Sequence, residues 1–282
     1  MKEARFYKVL AGDKVQCELC PHFCLLESGA TGSCRVRKNI NGKLFTLNYA
    51  KISSFALDPI EKKPLYHFHP KEYILSVGSA GCNFECAFCQ NWTISQETSN
   101  LKETTSEFLI QQAKSNKSFG IAYTYNEPFI WYEFVFDTAR LAKKEGLKNV
   151  LVTNGFVNQK PLEEMLQFID AMNIDLKSMD EGFYQDICKG SLNPVLDTIK
   201  KSAQVCHVEL TNLVIPGLND KEDYFCKLRD WVFDNLGADI VVHLSRYFPC
   251  YKMDIGPTSL ETLKIAQGII QKKLKYVYLG NV

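Results

Sequence analysis

Gly81-Cys82-Asn83-Phe84-Glu85-Cys86-Ala87-Phe88-Cys89 sets three thiols in the spacing C-x3-C-x2-C. It follows closely on Tyr73-Ile74-Leu75-Ser76-Val77, an apolar run that reads as a strand. Three closely spaced thiolates on one loop can each cap one iron of a cubane. A protein that uses a cubane only to carry electrons normally supplies four ligands. Three leave one iron without a protein ligand, open to a bidentate amino acid. A zinc knuckle usually brings paired C-x2-C halves and a fourth Cys or His, and no such partner lies nearby in the sequence.

Outward from this loop the chain alternates. Strands are expected over 73–77, 121–125, 150–153, 171–176, 208–215, 240–244 and 276–279. Helices are expected over 106–115, 128–144, 162–169, 181–188, 193–203, 221–235 and 260–274. Pro128 stands in a first turn, where its missing N–H costs nothing. Such alternation predicts parallel β/α units. It leaves a doubly wound sheet and a barrel both open, and in either one chemistry collects at the C-terminal strand ends. Residues 1–70 differ, being rich in Cys, Gly and short turns, with Asn41-Gly42 favouring a hairpin. We expect a Cys-rich metal-binding appendage over 1–70, ending in a polar connector from Asp58 to Pro70, and a main domain over 71–282.

The strand ends carry polar motifs. They are Thr124-Tyr125-Asn126-Glu127-Pro128, Thr153-Asn154-Gly155, Asp175-Leu176-Lys177, Val214-Ile215-Pro216-Gly217-Leu218-Asn219-Asp220, and His243 followed by Ser245-Arg246. Each also has a structural explanation. Glu127 suits the first turn of a helix. Asp175 and Lys177 alternate onto one strand face and suit an ion pair. Pro216-Gly217 makes a turn, Asn219 or Asp220 caps the next helix, and His243 suits a core. Arg246 offers a guanidinium fork to a substrate carboxylate or phosphate.

The C-x3-C-x2-C loop, with Phe88 before the third cysteine and a first strand ahead of it, resembles the radical S-adenosylmethionine (SAM) superfamily. The resemblance implies a partial (β/α)6 barrel and a [4Fe–4S] cluster on Cys82, Cys86 and Cys89. It also implies SAM on the open iron, cleaved reductively to a 5′-deoxyadenosyl radical that abstracts hydrogen, and an electron donor such as flavodoxin or ferredoxin. It places Phe88 beside the adenine. It brings Asn126, Glu127, Thr153, Asn154, Asp175, Lys177 and His243 to SAM, as in enzymes similar to the pyruvate formate-lyase activating enzyme. Val152 departs from that pattern, which carries Asp there. The glycines before Glu-Pro are missing too.

Cys17-x2-Cys20-x3-Cys24-x9-Cys34 supplies four further thiols in one short segment. Four thiolates close a tetrahedral zinc site or a second, fully ligated cluster, and the spacing leaves both open, with His22 able to replace one ligand. A structural staple and an electron-relay cluster are the two roles such a site would have. This segment, Asp58-Pro59-Ile60-Glu61-Lys62-Lys63-Pro64-Leu65-Tyr66-His67-Phe68 and Tyr278-Leu279-Gly280-Asn281-Val282 resemble the radical SAM enzyme of the AmmeMemoRadiSam system. That likeness implies Memo-like and AMMECR-like partner proteins. Members commonly continue into a tail with another Cys-x-x-Cys, which this sequence lacks. Two lysines and two histidines in 62–69 suit either a substrate or a solvated linker.

The 282 residues, 46% hydrophobic and 23% charged, suit a globular protein. A net charge of +1 gives no electrostatic case for nucleic acid or an anionic membrane. The charged start carries no signal peptide and no stretch is apolar enough to span a bilayer, so a cytoplasmic location is expected. Cys188, Cys206, Cys226 and Cys250 are scattered and read as small buried hydrophobes. Three functions compete: a radical enzyme acting on a small molecule or side chain, an activase of a glycyl radical enzyme, and a non-catalytic iron–sulfur or zinc scaffold.

Overall fold

Short apolar runs, buried on both faces in the central strands, make the main sheet in the computed structural model, which describes residues 1–97 and 100–282. The sheet has eight strands: β1 (Ser54–Pro59), β2 (Tyr73–Gly78), β3 (Gly120–Tyr123), β4 (Lys148–Thr153), β5 (Ala171–Asp175), β6 (His207–Val214), β7 (Val241–Arg246) and β8 (Tyr276–Gly280). They lie side by side in chain order. β2 to β8 run parallel, and β1 joins the β2 edge antiparallel. β1 and β8 do not pair, so the barrel stays open on one side. This is the parallel α/β architecture expected, with β1 added at the edge.

Helices α1 (Ser106–Ser115), α2 (Tyr132–Lys144), α3 (Gln159–Leu166), α4 (Leu192–Ala203), α5 (Glu222–Leu236) and α6 (Leu260–Ile270) connect the strands. Each buries one apolar stripe, such as Leu109, Ile110 and Ala113 of α1, as an amphipathic helix covering a sheet must. The helix expected from Pro128 begins as a 3₁₀ turn, Pro128–Trp131, before α2. The segment expected over 181–188 is a short α turn running into a π-helix, Tyr184–Cys188.

Residues before β1 form small antiparallel sheets. Arg37–Ile40 and Lys43–Thr46 make the hairpin expected at Asn41-Gly42, both of which have positive φ as a tight turn requires. The stretch from Asp58 to Pro70 is not a solvated connector. Asp58 and Pro59 are strand residues paired with Ile74 and Tyr73. Tyr66 and His67 then donate their backbone N–H groups to Glu209 of β6, at 2.9 and 2.7 Å. Pro64 accepts from Asn173 of β5 at 2.8 Å, and His67 Nε2 bonds Tyr278 of β8 at 2.7 Å. Leaving β1 and reaching β8, this segment spans the open side of the sheet. Its polar groups find partners only after folding, so sequence pattern alone does not reveal it.

Candidate active site

The C-terminal strand ends surround a cleft of about 350 Å³ that opens to solvent. Cys82, Cys86 and Cys89 line it together with Phe88, Asn126, Glu127, Thr153, Asn154, Asp175 and Lys177. Residues from the ends of β3, β4 and β5 thus meet the cysteine loop, and Thr211 and Leu213 of β6 and Ser245 of β7 line the cleft as well, as loops at the top of a β/α barrel allow. His243 does not line the cleft. Its Nε2 bonds Glu209 at 2.6 Å inside the barrel, with Tyr66 packed edge-on against it. Arg246 is also outside, donating to the Thr258 carbonyl at 2.8 Å with its guanidinium over Phe248.

The loop is braced from several strands. Asn126 accepts from the Ser79 N–H at 2.8 Å and donates to the Gly81 carbonyl at 3.1 Å. Asn154 donates to Asn83 at 2.8 Å and to the Cys82 sulfur at 3.6 Å. The Phe84 N–H also donates to that sulfur, at 3.4 Å. Glu127 is buried and accepts from the Phe129 and Asn154 N–H groups and the Thr153 hydroxyl, at 2.9, 2.8 and 2.7 Å. Burial pushes its carboxyl up to about 7, against the opposing pull of those donors. Burial disfavours charge on Lys177, but Asp175, at 2.9 Å, with Cys86 and Cys188 near, outweighs this and holds the ammonium well above its ordinary value. The Lys177 ammonium lies 5.8 Å from the Phe88 ring centre.

Two cysteines that the sequence did not assign to the site, and Lys63 from the 62–69 segment, also reach this region. Cys188 sits beside Cys86, and their hydrogen bond, with burial, raises the Cys86 thiol well above its ordinary value. The Cys250 thiol donates to the Cys89 carbonyl at 3.6 Å. Cys188 is buried in the core as expected and Cys250 is half-buried, and both are neighbours of the loop. Lys63 reaches the cleft with its ammonium on Asp58 at 2.8 Å and 4.7 Å from the Tyr125 ring centre, while the Tyr125 hydroxyl donates to Asp58 at 2.8 Å. Burial lowers Lys63 despite Asp58. Tyr125 has φ +72°, a strained backbone for a non-glycine residue.

Among the described residues, no three Cys, His, Asp or Glu side chains gather closely enough to hold one metal ion. A cubane asks for something different, one thiolate per iron at separated corners. Three thiols lining a cleft, one of them already receiving two hydrogen bonds, fit it. At the other end of the chain, Cys17, Cys20, Cys24 and Cys34 line a single cavity of only about 10 Å³. None of the eleven cysteines is in a disulfide. Burial raises Cys17 and Cys20 and pushes Cys34 up to about 11, so without a metal these thiols stay protonated and neutral.

Residues 76–228 match the radical SAM superfamily. Over its whole length the chain is 44% identical to an uncharacterised protein of Methanocaldococcus jannaschii, MJ0808, covering 86% of that protein. It is 28% identical to the pyruvate formate-lyase 1-activating enzyme of Escherichia coli K12 over 68% of this chain and 86% of the enzyme. A radical SAM methyltransferase from Sphaerobacter thermophilus has a similar fold, with TM-score 0.59 at 15% identity over 75% of this chain and 67% of that one. Among the described residues no helix is long and apolar enough to cross a membrane.

Proposed function

The chain belongs to the radical SAM superfamily, and from that premise we propose that it is an enzyme whose Cys82, Cys86 and Cys89 hold a [4Fe–4S] cluster in the cleft, acting on a small molecule or a protein side chain. When bound, the reduced cluster with SAM supplies a 5′-deoxyadenosyl radical that abstracts hydrogen from the substrate. The observation that carries this reading is the lining of one cleft by the three cysteines and by polar residues from successive strand ends. Asn126 and Asn154 fix the loop on which the thiolates stand. Asp175 and Lys177, an ion pair open to the cleft, offer one partner of each sign to the ammonium and carboxylate of the methionyl end. Glu127 orients the Thr153–Asn154 backbone. Phe88 gives the adenine an apolar face. His243, bound to Glu209, orders the barrel interior, and we assign it no SAM contact.

Kinship with the E. coli activating enzyme favours a second reading, an activase of a glycyl radical partner. Val152, which lines the cleft where that pattern carries Asp, argues against it. We also read Cys17, Cys20, Cys24 and Cys34 as a metal site, and the chain as the radical SAM member of an AmmeMemoRadiSam system with Memo-like and AMMECR-like partners. The test of the main reading is 5′-deoxyadenosine formation after anaerobic reconstitution and reduction. An intact cluster that forms none would support a binding scaffold instead. Cys86→Ala should abolish both cluster incorporation and SAM cleavage. A full cubane in that variant would overturn the ligand assignment.

A further inference from the structure

The two cysteine sets, far apart in sequence, stand on loops that touch. The Cys34 carbonyl oxygen lies 2.5 Å from where a Cβ on Gly81 would be, so glycine alone permits the approach, and Gly81 precedes Cys82. His22 Nε2 bonds the Asn83 carbonyl at 2.7 Å, and Arg35 pairs with Glu85 at 3.0 Å. A cofactor held by the N-terminal cysteines would therefore lie directly behind the loop that carries the cleft cysteines.

Four thiols on one cavity offer a ligand set to a single ion or to a cluster. One zinc ion with bonds of about 2.3 Å draws four sulfurs to within about 4 Å of one another. Here all four thiols line one cavity. A cluster takes the same four thiolates one per iron and, unlike zinc, can carry an electron to the loop that this segment touches. Arg37 lines the same cavity and is fully buried. Its terminal nitrogens are engaged by Glu133 and by the Arg5 carbonyl, but its Nε–H has no partner among the described residues. A buried donor left over beside four sulfurs needs an acceptor, and an anionic thiolate-ligated cluster would provide one.

Resting on the reading of these cysteines as a metal site, we propose that Cys17, Cys20, Cys24 and Cys34 hold a fully ligated iron–sulfur cluster, that Arg37 donates its Nε–H to it, and that it is the entry point for the electron used in the cleft. A one-electron protein donor of the ferredoxin or flavodoxin class is oxidised by one electron. The N-terminal cluster takes up that electron and returns to its oxidised state as it passes the electron to the cleft cluster. No bond is made or broken in either transfer. Four protein ligands leave no iron open to SAM, which suits a relay and not the chemistry itself.

The test uses the full chain with Cys82, Cys86 and Cys89 all replaced by Ala, loaded anaerobically with iron and sulfide and, separately, with zinc. We expect iron and acid-labile sulfide in equal amounts, about four of each per chain. We also expect one electron per chain to be taken up from reduced ferredoxin or flavodoxin. One zinc and no sulfide under both loadings would overturn the cluster while leaving the metal site standing, and no metal at all would overturn both. A cluster that the protein donors fail to reduce would overturn the relay. In the same background, Arg37→Met with Glu133→Gln removes the ion pair as a unit. The cluster should then show a lower midpoint potential, because a hydrogen bond to it is lost. An unchanged potential would overturn the role of Arg37.

Discussion

Glu209 gathers four donors around one buried carboxylate: the backbone N–H groups of Tyr66 and His67 and the rings of His207 and His243, the last two at 2.9 and 2.6 Å. Burial alone would raise its pKa, but the donors outweigh it and hold the carboxyl at about 2. A carboxylate depressed in the folded state contributes stability that is present above its unfolded pKa and is lost as pH falls through the folded one. The window here runs from about 4.5 down to about 2. Across it the group contributes on the order of 3 kcal/mol, at 1.36 kcal/mol per pKa unit. Urea unfolding at pH 6 and pH 3 should show the wild type losing more stability on acidification than Glu209→Gln. Equal losses in the two proteins would show that Glu209 is not held ionised by these donors.

The same cluster shows what the sequence made legible and what it did not. His243 stands on the expected strand, but its partner Glu209 and its neighbour Tyr66 come from positions 34 residues or more away in the chain. No local pattern reports such pairing. The cysteine loop, by contrast, carries its chemistry in residues that are adjacent in sequence, so its spacing is readable at once. Cys188 shows the intermediate case: a lone cysteine is uninformative until the fold sets it beside Cys86.

At the scale of elements, strands and helices follow from apolar periodicity because burial on two faces or one stripe demands it. The segment that bridges β1 to β8 escapes that logic, since its burial is polar. Loop packing is equally hidden, and Gly190 is the sharpest instance. It follows Lys189, which has φ +59° and ends the π-helix at Cys188. A Cβ on Gly190 would lie 2.2 Å from Cε1 of Phe84, which is buried between Cys82 and Cys86. The Glu85 N–H also bonds the Cys188 carbonyl at 2.8 Å, so the two loops cannot separate freely. Gly190→Ala therefore displaces the cysteine loop. Overpacking of this kind costs about 1–3 kcal/mol. The variant should fold, keep its far-UV circular dichroism, and hold less iron after reconstitution than the wild type. Full iron content with unchanged SAM cleavage would mean that Phe84 moves without carrying the loop.

At the scale of the molecule, the N-terminal sheets and the barrel are joined through charge buried where they meet. Arg37, on the hairpin, pairs with Glu133 of α2 at 2.9 Å, and both are 1% exposed. The Arg5 N–H adds a bond to Glu133 at 2.8 Å. Such a pair adds little over a well-packed apolar substitute, but deleting one partner leaves a charge stranded, at a cost of about 3–5 kcal/mol. Glu133→Ala should lose that much in urea unfolding. Arg37→Met with Glu133→Gln should recover part of it, because neither charge is left unpaired. The loss should also reach the cleft. The N-terminal segment rests on the cysteine loop through Cys34 against Gly81, His22 on Asn83 and Arg35 on Glu85. Loosening its anchor removes support from the residues on either side of Cys82. Iron retained during gel filtration should fall in Glu133→Ala below both the wild type and the double variant. Wild-type stability in Glu133→Ala, or normal iron retention despite the lost stability, would separate the anchor from the site it is argued to hold.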